Sequence, residues 1–242
     1  SYPHQELSPV QASAMSASLD RLTRVITPDQ RFQLAAAFSL DELHRACFGL
    51  RSFSAPGPDG LTPAFYRHFW DFIGPILLAL LQDARCGGGL LVGSLEATII
   101  LIPKPPPGSP KAEDFRPISL LNVDYKIWAA AIVARINPLL PTLCRATQTG
   151  FIPGRSIQHN VSFNRDIIEW AERSKTSLVV AFLDFEKAFD RVRWHYLWRV
   201  LDHLGFPTEL SIVIRALYTG FSSTLMVPGV TQVVLRPSRG VR

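Results

Sequence analysis

Fifteen residues, Leu178 to Val192 (LVVAFLDFEKAFDRV), constrain this chain more than any other stretch. Six apolar residues, Leu178 to Leu183, run without alternation; two are β-branched and one is aromatic. Such a run predicts a short strand buried on both faces. It ends on Asp184, and Glu186, Lys187, Asp190 and Arg191 follow. A buried strand with a carboxylate at its tip fixes an acid where solvent and substrate reach it, as metal-dependent phosphoryl-transfer sites do. An aspartate after a strand is also a common turn or helix-cap residue. The stretch alone does not separate the two.

Composition narrows the classes. A chain of 242 residues, 47% hydrophobic and 19% charged, is an ordered globular protein with room for one large core or two smaller ones. Its net charge of +5 permits a polyanionic partner without demanding one. Cys47, Cys86 and Cys144 are far apart and none has C-x-x-C spacing, so neither a zinc site nor a disulfide framework is indicated. The N-terminus has no basic head followed by an apolar core, and the longest apolar runs fall short of a membrane span. A soluble intracellular chain with no membrane partner is the expectation.

In chain order, residues 1–38 are weakly patterned, with Leu19, Leu22, Val25 and Ile26 at helical spacing. Ser39 to Glu42 reads as a capping box that opens a short helix with Leu43, Ala46 and Cys47 inward. Ser54 to Gly60 (SAPGPDG) is a strong turn signal but not a P-loop, because no Gly-Lys-Ser/Thr follows. Thr62-Pro63 supplies the cap and first residue of a long helix ended by Gly87 to Gly89. Phe65, Phe69, Phe72, Ile76 and Leu80 are its predicted buried face, with a kink at Gly74-Pro75.

Strands are predicted from Thr98 to Pro103 and from Phe115 to Leu120, joined by a proline-rich exposed loop, with Lys104 and Arg116 at its two ends. These make a basic two-stranded arm. A helix follows from Asn122 to Ile136. Between Thr98 and Asn160 there are seven Lys or Arg against three acids, most of them at strand ends and in loops where they could converge on one ligand. Gln148 to Ser156 is a glycine-containing loop, and Ser156 caps a helix to about Arg173. Arg193 to Leu204 is a helix closed by Gly205, Pro207-Thr208-Glu209 opens another, and the C-terminal stretch reads as a hairpin around Pro228-Gly229.

Together these pieces resemble the reverse transcriptases of non-LTR (LINE-type) retrotransposons, collinearly from about Phe38 to Arg242. The resemblance rests on APGPDG (55–60), LIPK (101–104), DFRPISLLN (114–122) with YKI (125–127), QTGFIPGRS (148–156) and FLDFEKAFDRV (182–192). It implies an α+β right-hand polymerase fold, incomplete here: an N-terminal extension over 1–38, a fingers-like region over 39–145, a partial palm over 146–242, and no thumb. It also implies RNA-directed DNA synthesis, with an RNA template, a DNA primer and a dNTP as partners. Carried over by position, Asp184 is the first metal-binding aspartate and the Phe185 carbonyl a second ligand for two Mg²⁺ ions. Phe189 resembles the ring beneath the nucleotide sugar, where a flat side chain leaves no room for a ribose 2′-hydroxyl. Lys104 and Arg116 resemble the cations that clamp the triphosphate, one a point charge and the other a planar fork. Gln148, Gly150 and Arg155 fall in a motif near the template. Glu186, Lys187, Asp190 and Arg191 have a simpler reading, as pairs for one another or caps.

One aspartate cannot hold two Mg²⁺ ions, and these 242 residues contain no Asp-Asp pair. The expectation is a piece of a longer enzyme, inactive by itself and poorly soluble because the strand at Leu178–Leu183 lacks a neighbour. The alternative is a non-catalytic retroelement remnant that at most binds RNA. An aspartyl phosphatase is disfavoured, since it needs Asp and then Ser or Thr where Glu186 and Ala188 stand.

Overall fold

A computed structural model describes residues 8–104, 114–226 and 232–241. The proline-rich loop at 105–110, Lys111 and the Pro228–Gly229 turn lie outside the described residues. The architecture is α+β, with ten α-helices and one four-stranded mixed sheet among the described residues. The chain divides into two units. One takes the N-terminal stretch to Pro28, Arg135–Gly205 and the residues from Arg239; the other takes Asp29–Ala134 and Phe206–Ser238.

The second unit holds the sheet, ordered β2-β1-β3-β4. Strand β1 (Glu96–Pro103) pairs antiparallel with β2 (Phe115–Leu121), from Ala97↔Leu121 to Pro103↔Phe115. The expected basic arm is therefore present. It is not free-standing, because β1 also pairs in parallel with β3 (Ser222–Leu225), which pairs antiparallel with β4 (Val233–Leu235). The β3–β4 pair is the C-terminal hairpin that the turn chemistry predicted.

Around it stand α2 (Pro28–Ala35), α3 (Leu40–Gly49), α4 (Pro63–His68), α5 (Trp70–Arg85), α6 (Val123–Ile136) and α10 (Thr208–Ala216). The Ser39/Glu42 capping box opens α3 and Thr62 caps α4, both as expected. Trp128, Ile127, Val123, Leu43, Leu81, Leu210, Val213 and Phe221 form the centre of this unit's core.

The long helix predicted after Thr62 is two helices, broken at Phe69 rather than at Gly74-Pro75. Arg67 of α4 donates to the carbonyls of Phe48 and Leu50 and to Ser52 Oγ, so the end of α3 sets the direction of α4. The break moves the buried face. Tyr66, Trp70, Gly74, Leu77 and Leu81 point inward, while Phe69, Phe72 and Ile76 are exposed. Phe69, Phe72 and Ile76 make a second apolar stripe beside the one that is buried, and the sequence reading took the wrong one. Gly74 then fixes the choice: a Cβ there would come within 2.8 Å of the Trp70 ring.

The first unit contains α1 (Pro9–Leu19), α7 (Leu140–Leu143), α8 (Ile157–Ser174) and α9 (Trp194–Leu204). Helix α1 was not expected, although Ser8 and Gln11 form a capping box around Pro9. It packs on α9, with Ser18 Oγ 2.7 Å from Tyr196 OH. The helical spacing of Leu19 to Ile26 is coincidental, for α1 ends at Leu19 and no helix covers residues 21–26. Ser156 caps α8 and Gly205 closes α9 at φ 85°, both as predicted.

The strand predicted at Leu178–Leu183 does not form. Residues 176–185 belong to no ladder, and Val179 (93%), Phe182 (82%) and Leu183 (86%) stand exposed. A strand needs a hydrogen-bonded neighbour, and none is present among the described residues of this unit. An unpaired apolar run is a template for self-association. The 242-residue chain is accordingly expected to form soluble aggregates in static light scattering. Val179→Gln with Leu183→Gln should shift it towards monomer without lowering its melting temperature. A monodisperse unsubstituted chain would contradict this.

Among the described residues no helix is long and apolar enough to cross a membrane.

Candidate functional site

Asp184 follows the extended run and precedes a turn over Glu186 to Arg191. Two backbone contacts from the C-terminal residues stitch this turn: Gly240 N–H to the Val192 carbonyl (2.7 Å) and Val241 N–H to the Phe189 carbonyl (3.0 Å). The buried Trp194 indole donates to the Gly240 carbonyl at 2.7 Å. Gly240, at φ 95°, is the residue that permits this approach. Glu186 and Arg191 form an ion pair at 2.5 Å, so two of the four charges after Asp184 pair with each other, as the simpler reading held. Both are exposed, and such a pair adds little stability.

A cavity of about 630 Å³ opens beside the turn, lined by Asp184, Glu186, Arg191, Arg193 and His195 and by Gln11 of α1. Arg193 reaches Gln11 Oε1 at 3.4 Å. Among the described residues no three His, Cys, Asp or Glu side chains gather as a metal site. Asp184 brings one carboxylate and Glu186 is engaged by Arg191, so these residues do not fit a two-ion centre by themselves.

Phe185 and Phe189 are both exposed. Phe189 meets Phe151 edge-to-face with ring centroids 6.3 Å apart. The glycine-containing loop and the Asp184 turn, predicted separately, thus come together within the first unit. In that loop Gln148 Nε2 donates to the Gly150 carbonyl at 3.0 Å. Arg155 donates to four carbonyls: Arg145 (2.5 Å), Gln148 (2.7 Å), Pro141 (2.7 Å) and Cys144 (3.2 Å).

In the second unit, Lys104 N–H bonds the Asp114 carbonyl at 2.8 Å and Arg116 lies opposite Ile102. Lys104 follows the last residue of β1 and Arg116 is the second residue of β2, so both stand at the same end of the β1–β2 pair.

Sequence reasoning missed a buried polar corner that joins APGPDG to the end of β2. Asn122, almost wholly buried, accepts from Asp59 N–H (3.3 Å) through Oδ1 and donates to the Gly93 carbonyl (2.8 Å) through Nδ2. Lys126 Nζ donates to the Ala55 carbonyl at 2.9 Å. Asp124 accepts from Ser94 Oγ and from Tyr125 N–H. Its neighbours carried the signal: both halves of the corner are motifs of the resemblance, and only their contact was hidden.

Burial holds the Asp124 carboxyl above the usual carboxylate range, with the Ser94 and Tyr125 donors pulling the other way. Burial also lowers the Lys126 ammonium and raises the Tyr66 hydroxyl. A carboxyl raised on folding gives stability that is complete below its unfolded value and lost as pH climbs through its folded one. Melting temperature should therefore fall between about pH 4 and the elevated Asp124 value, and Asp124→Asn should flatten that segment. Parallel profiles for the two proteins would contradict it.

The family model described as reverse transcriptase (RNA-dependent DNA polymerase) matches residues 102–238, and the chain belongs to that family. Its relatives place it among the non-LTR, LINE-type retrotransposon members. It is 34% identical over 219 residues to the Transposon TX1 uncharacterized 149 kDa protein of Xenopus laevis, covering 90% of this chain and 17% of that protein. It is 29% identical over 191 residues to a Pol polyprotein from the retrotransposable element R2 of Nasonia vitripennis, covering 78% and 18%. With the Drosophila melanogaster R2DM Pol polyprotein the figures are 28% over 189 residues, 78% and 17%. The chain spans less than a fifth of each of these relatives.

Proposed function

We propose that these residues supply the fingers (39–145) and the first half of the palm (146–242) of a right-hand polymerase that copies RNA into DNA. The observation that carries this reading is the meeting of the Gln148 loop with the Asp184 turn through Phe151 and Phe189. A template-side motif and a nucleotide-side motif have to adjoin in such an enzyme. In this reading Asp184 and the Phe185 carbonyl contribute to a Mg²⁺ site, Phe189 lies under the nucleotide sugar, and Lys104 and Arg116 take the triphosphate. Gln148, Gly150 and Arg155 belong to the template side. Divalent metal use is general to the family. The described residues offer Asp184 alone for it, so no catalytic step through metal is assigned to them.

Two assays test the reading. The 242-residue polypeptide with Mg²⁺, an RNA template and a DNA primer should give no extension product, and templated synthesis would refute the assignment of one carboxylate among several. A gel shift with single-stranded RNA should show binding that weakens steeply with KCl. Binding insensitive to salt, or none at low salt, would remove the template role and leave only shared ancestry.

A further inference from the structure

Arg24 lies outside the stretch matched by the family model and outside every motif of the resemblance. Its Nη1 donates to the carbonyls of Cys144 (2.9 Å) and Thr142 (3.2 Å). Those carbonyls sit at the end of α7, a helix of four residues whose last oxygens have no partner within the helix. Arg155 approaches the same turn from the other side in sequence, and its Nη2 also donates to the Cys144 carbonyl, at 3.2 Å. Two guanidinium groups, from segments before and after the loop, thus share one acceptor.

Arg24 is itself held in place. Ile26, buried, donates its N–H to the Leu204 carbonyl at 3.0 Å, and the Leu22 carbonyl is 2.9 Å from His203 Nε2. Leu22 and Ile26 are thus both tied to the end of α9, and the Arg24 side chain between them spans to the end of α7. The loop so gripped carries the exposed Phe151 at φ 61°, its ring edge-to-face with Phe189. A bulky residue held at positive φ is a backbone outlier that persists only where its surroundings dictate it.

We propose that Arg24 and Arg155 are positioning residues that clamp the Pro141–Arg155 loop in the form that presents Phe151 to Phe189. With Nη1 and Nη2 each spent on two carbonyls, Arg155 shapes the loop and does not pair with phosphate. The inference rests on the reading of this loop as template-facing, and it divides the motif's roles within that reading. Lysine cannot substitute at Arg155, because one ammonium does not reproduce a planar fork whose two nitrogens reach four carbonyls.

The test uses the full chain in the Val179→Gln, Leu183→Gln background, which leaves its charge unchanged. Amide hydrogen exchange over residues 142–151 and affinity for a single-stranded RNA across a KCl series are measured for Arg24→Ala, Arg155→Lys and Arg155→Gln. Each variant should speed exchange in that window about tenfold and weaken RNA binding with the salt slope unchanged. Arg145→Ala, which removes an exposed cation of the same loop, should instead reduce the slope by about 0.7 if it meets a phosphate. Exchange at the unsubstituted rate in Arg24→Ala would overturn the clamp. So would a slope reduced by about 0.7 in Arg155→Gln compared with the parent, since a charge that met a phosphate would then be lost. Absence of RNA binding by the parent would sink the template reading, and the exchange measurement would still decide the clamp.

Discussion

Gly57→Ala should destabilise the sheet-bearing unit by about 3 kcal/mol or more, the sum expected of a forced overpacking and a broken buried hydrogen bond. The added Cβ would press into Asn122 Oδ1 and N and lie 2.6 Å from the Leu121 carbonyl carbon. Two of those atoms are backbone, so no side-chain rotation relieves the clash. Moving Asn122 would release Asp59 N–H and the Gly93 carbonyl together. Gly60→Ala is the control. That glycine sits at φ 72° with nothing within 4 Å of the position a Cβ would take, so its cost is the backbone penalty alone, about 1 kcal/mol. Urea unfolding followed by circular dichroism distinguishes them. Equal midpoints for the two variants would mean that the corner is not close-packed.

Trp128→Ala is expected to cost about 3–5 kcal/mol, as large-to-small changes of a fully buried aromatic do. Trp128 has no exposed surface, and its indole N–H donates to the Leu77 carbonyl at 3.1 Å, tying α6 to α5. A domain of ordinary stability would lose a third or more of it, by the same order-of-magnitude reasoning. Trp128→Phe keeps most of the apolar contact and loses the hydrogen bond, so about 1–2 kcal/mol is expected. The comparison of their urea midpoints separates volume from hydrogen bonding. Indistinguishable midpoints for the Phe and Ala variants would place the whole effect in the N–H.

Much of the local structure was legible because its causes are local. Ser39 with Glu42, Thr62 with Pro63, Ser156 and Gly205 each end or begin a helix through atoms a few residues away. Strands β1 and β2 were legible for the same reason, being neighbours along the chain. What stayed hidden depends on distant partners. Nothing near Glu96 announces a parallel partner at Ser222, and nothing near Leu178 announces that its run would find none. The wrong face was chosen at Phe69 and Phe72 because two apolar stripes run side by side there and the deciding contact, Gly74 against Trp70, became visible only in three dimensions. At the candidate site, Asp184, Phe189 and Gln148 were readable as candidates from the motif. The four carbonyls around Arg155, and the part played by Arg24, were not, because backbone acceptors have no sequence signature.

The strand pairing also bears on how this polypeptide can be made and dissected. Ala97 finds its parallel neighbour in Ser223, and the stretch between them contains the larger part of the other unit, Arg135–Gly205. That other unit in turn draws on residues before Pro28 and after Arg239. Threaded this way, neither half can be completed before the residues that follow Phe221 have been made, so shorter ribosome-bound intermediates will carry both halves unfinished and open to chaperones. Nor will a single protease cut, or any one-ended deletion, release an intact half.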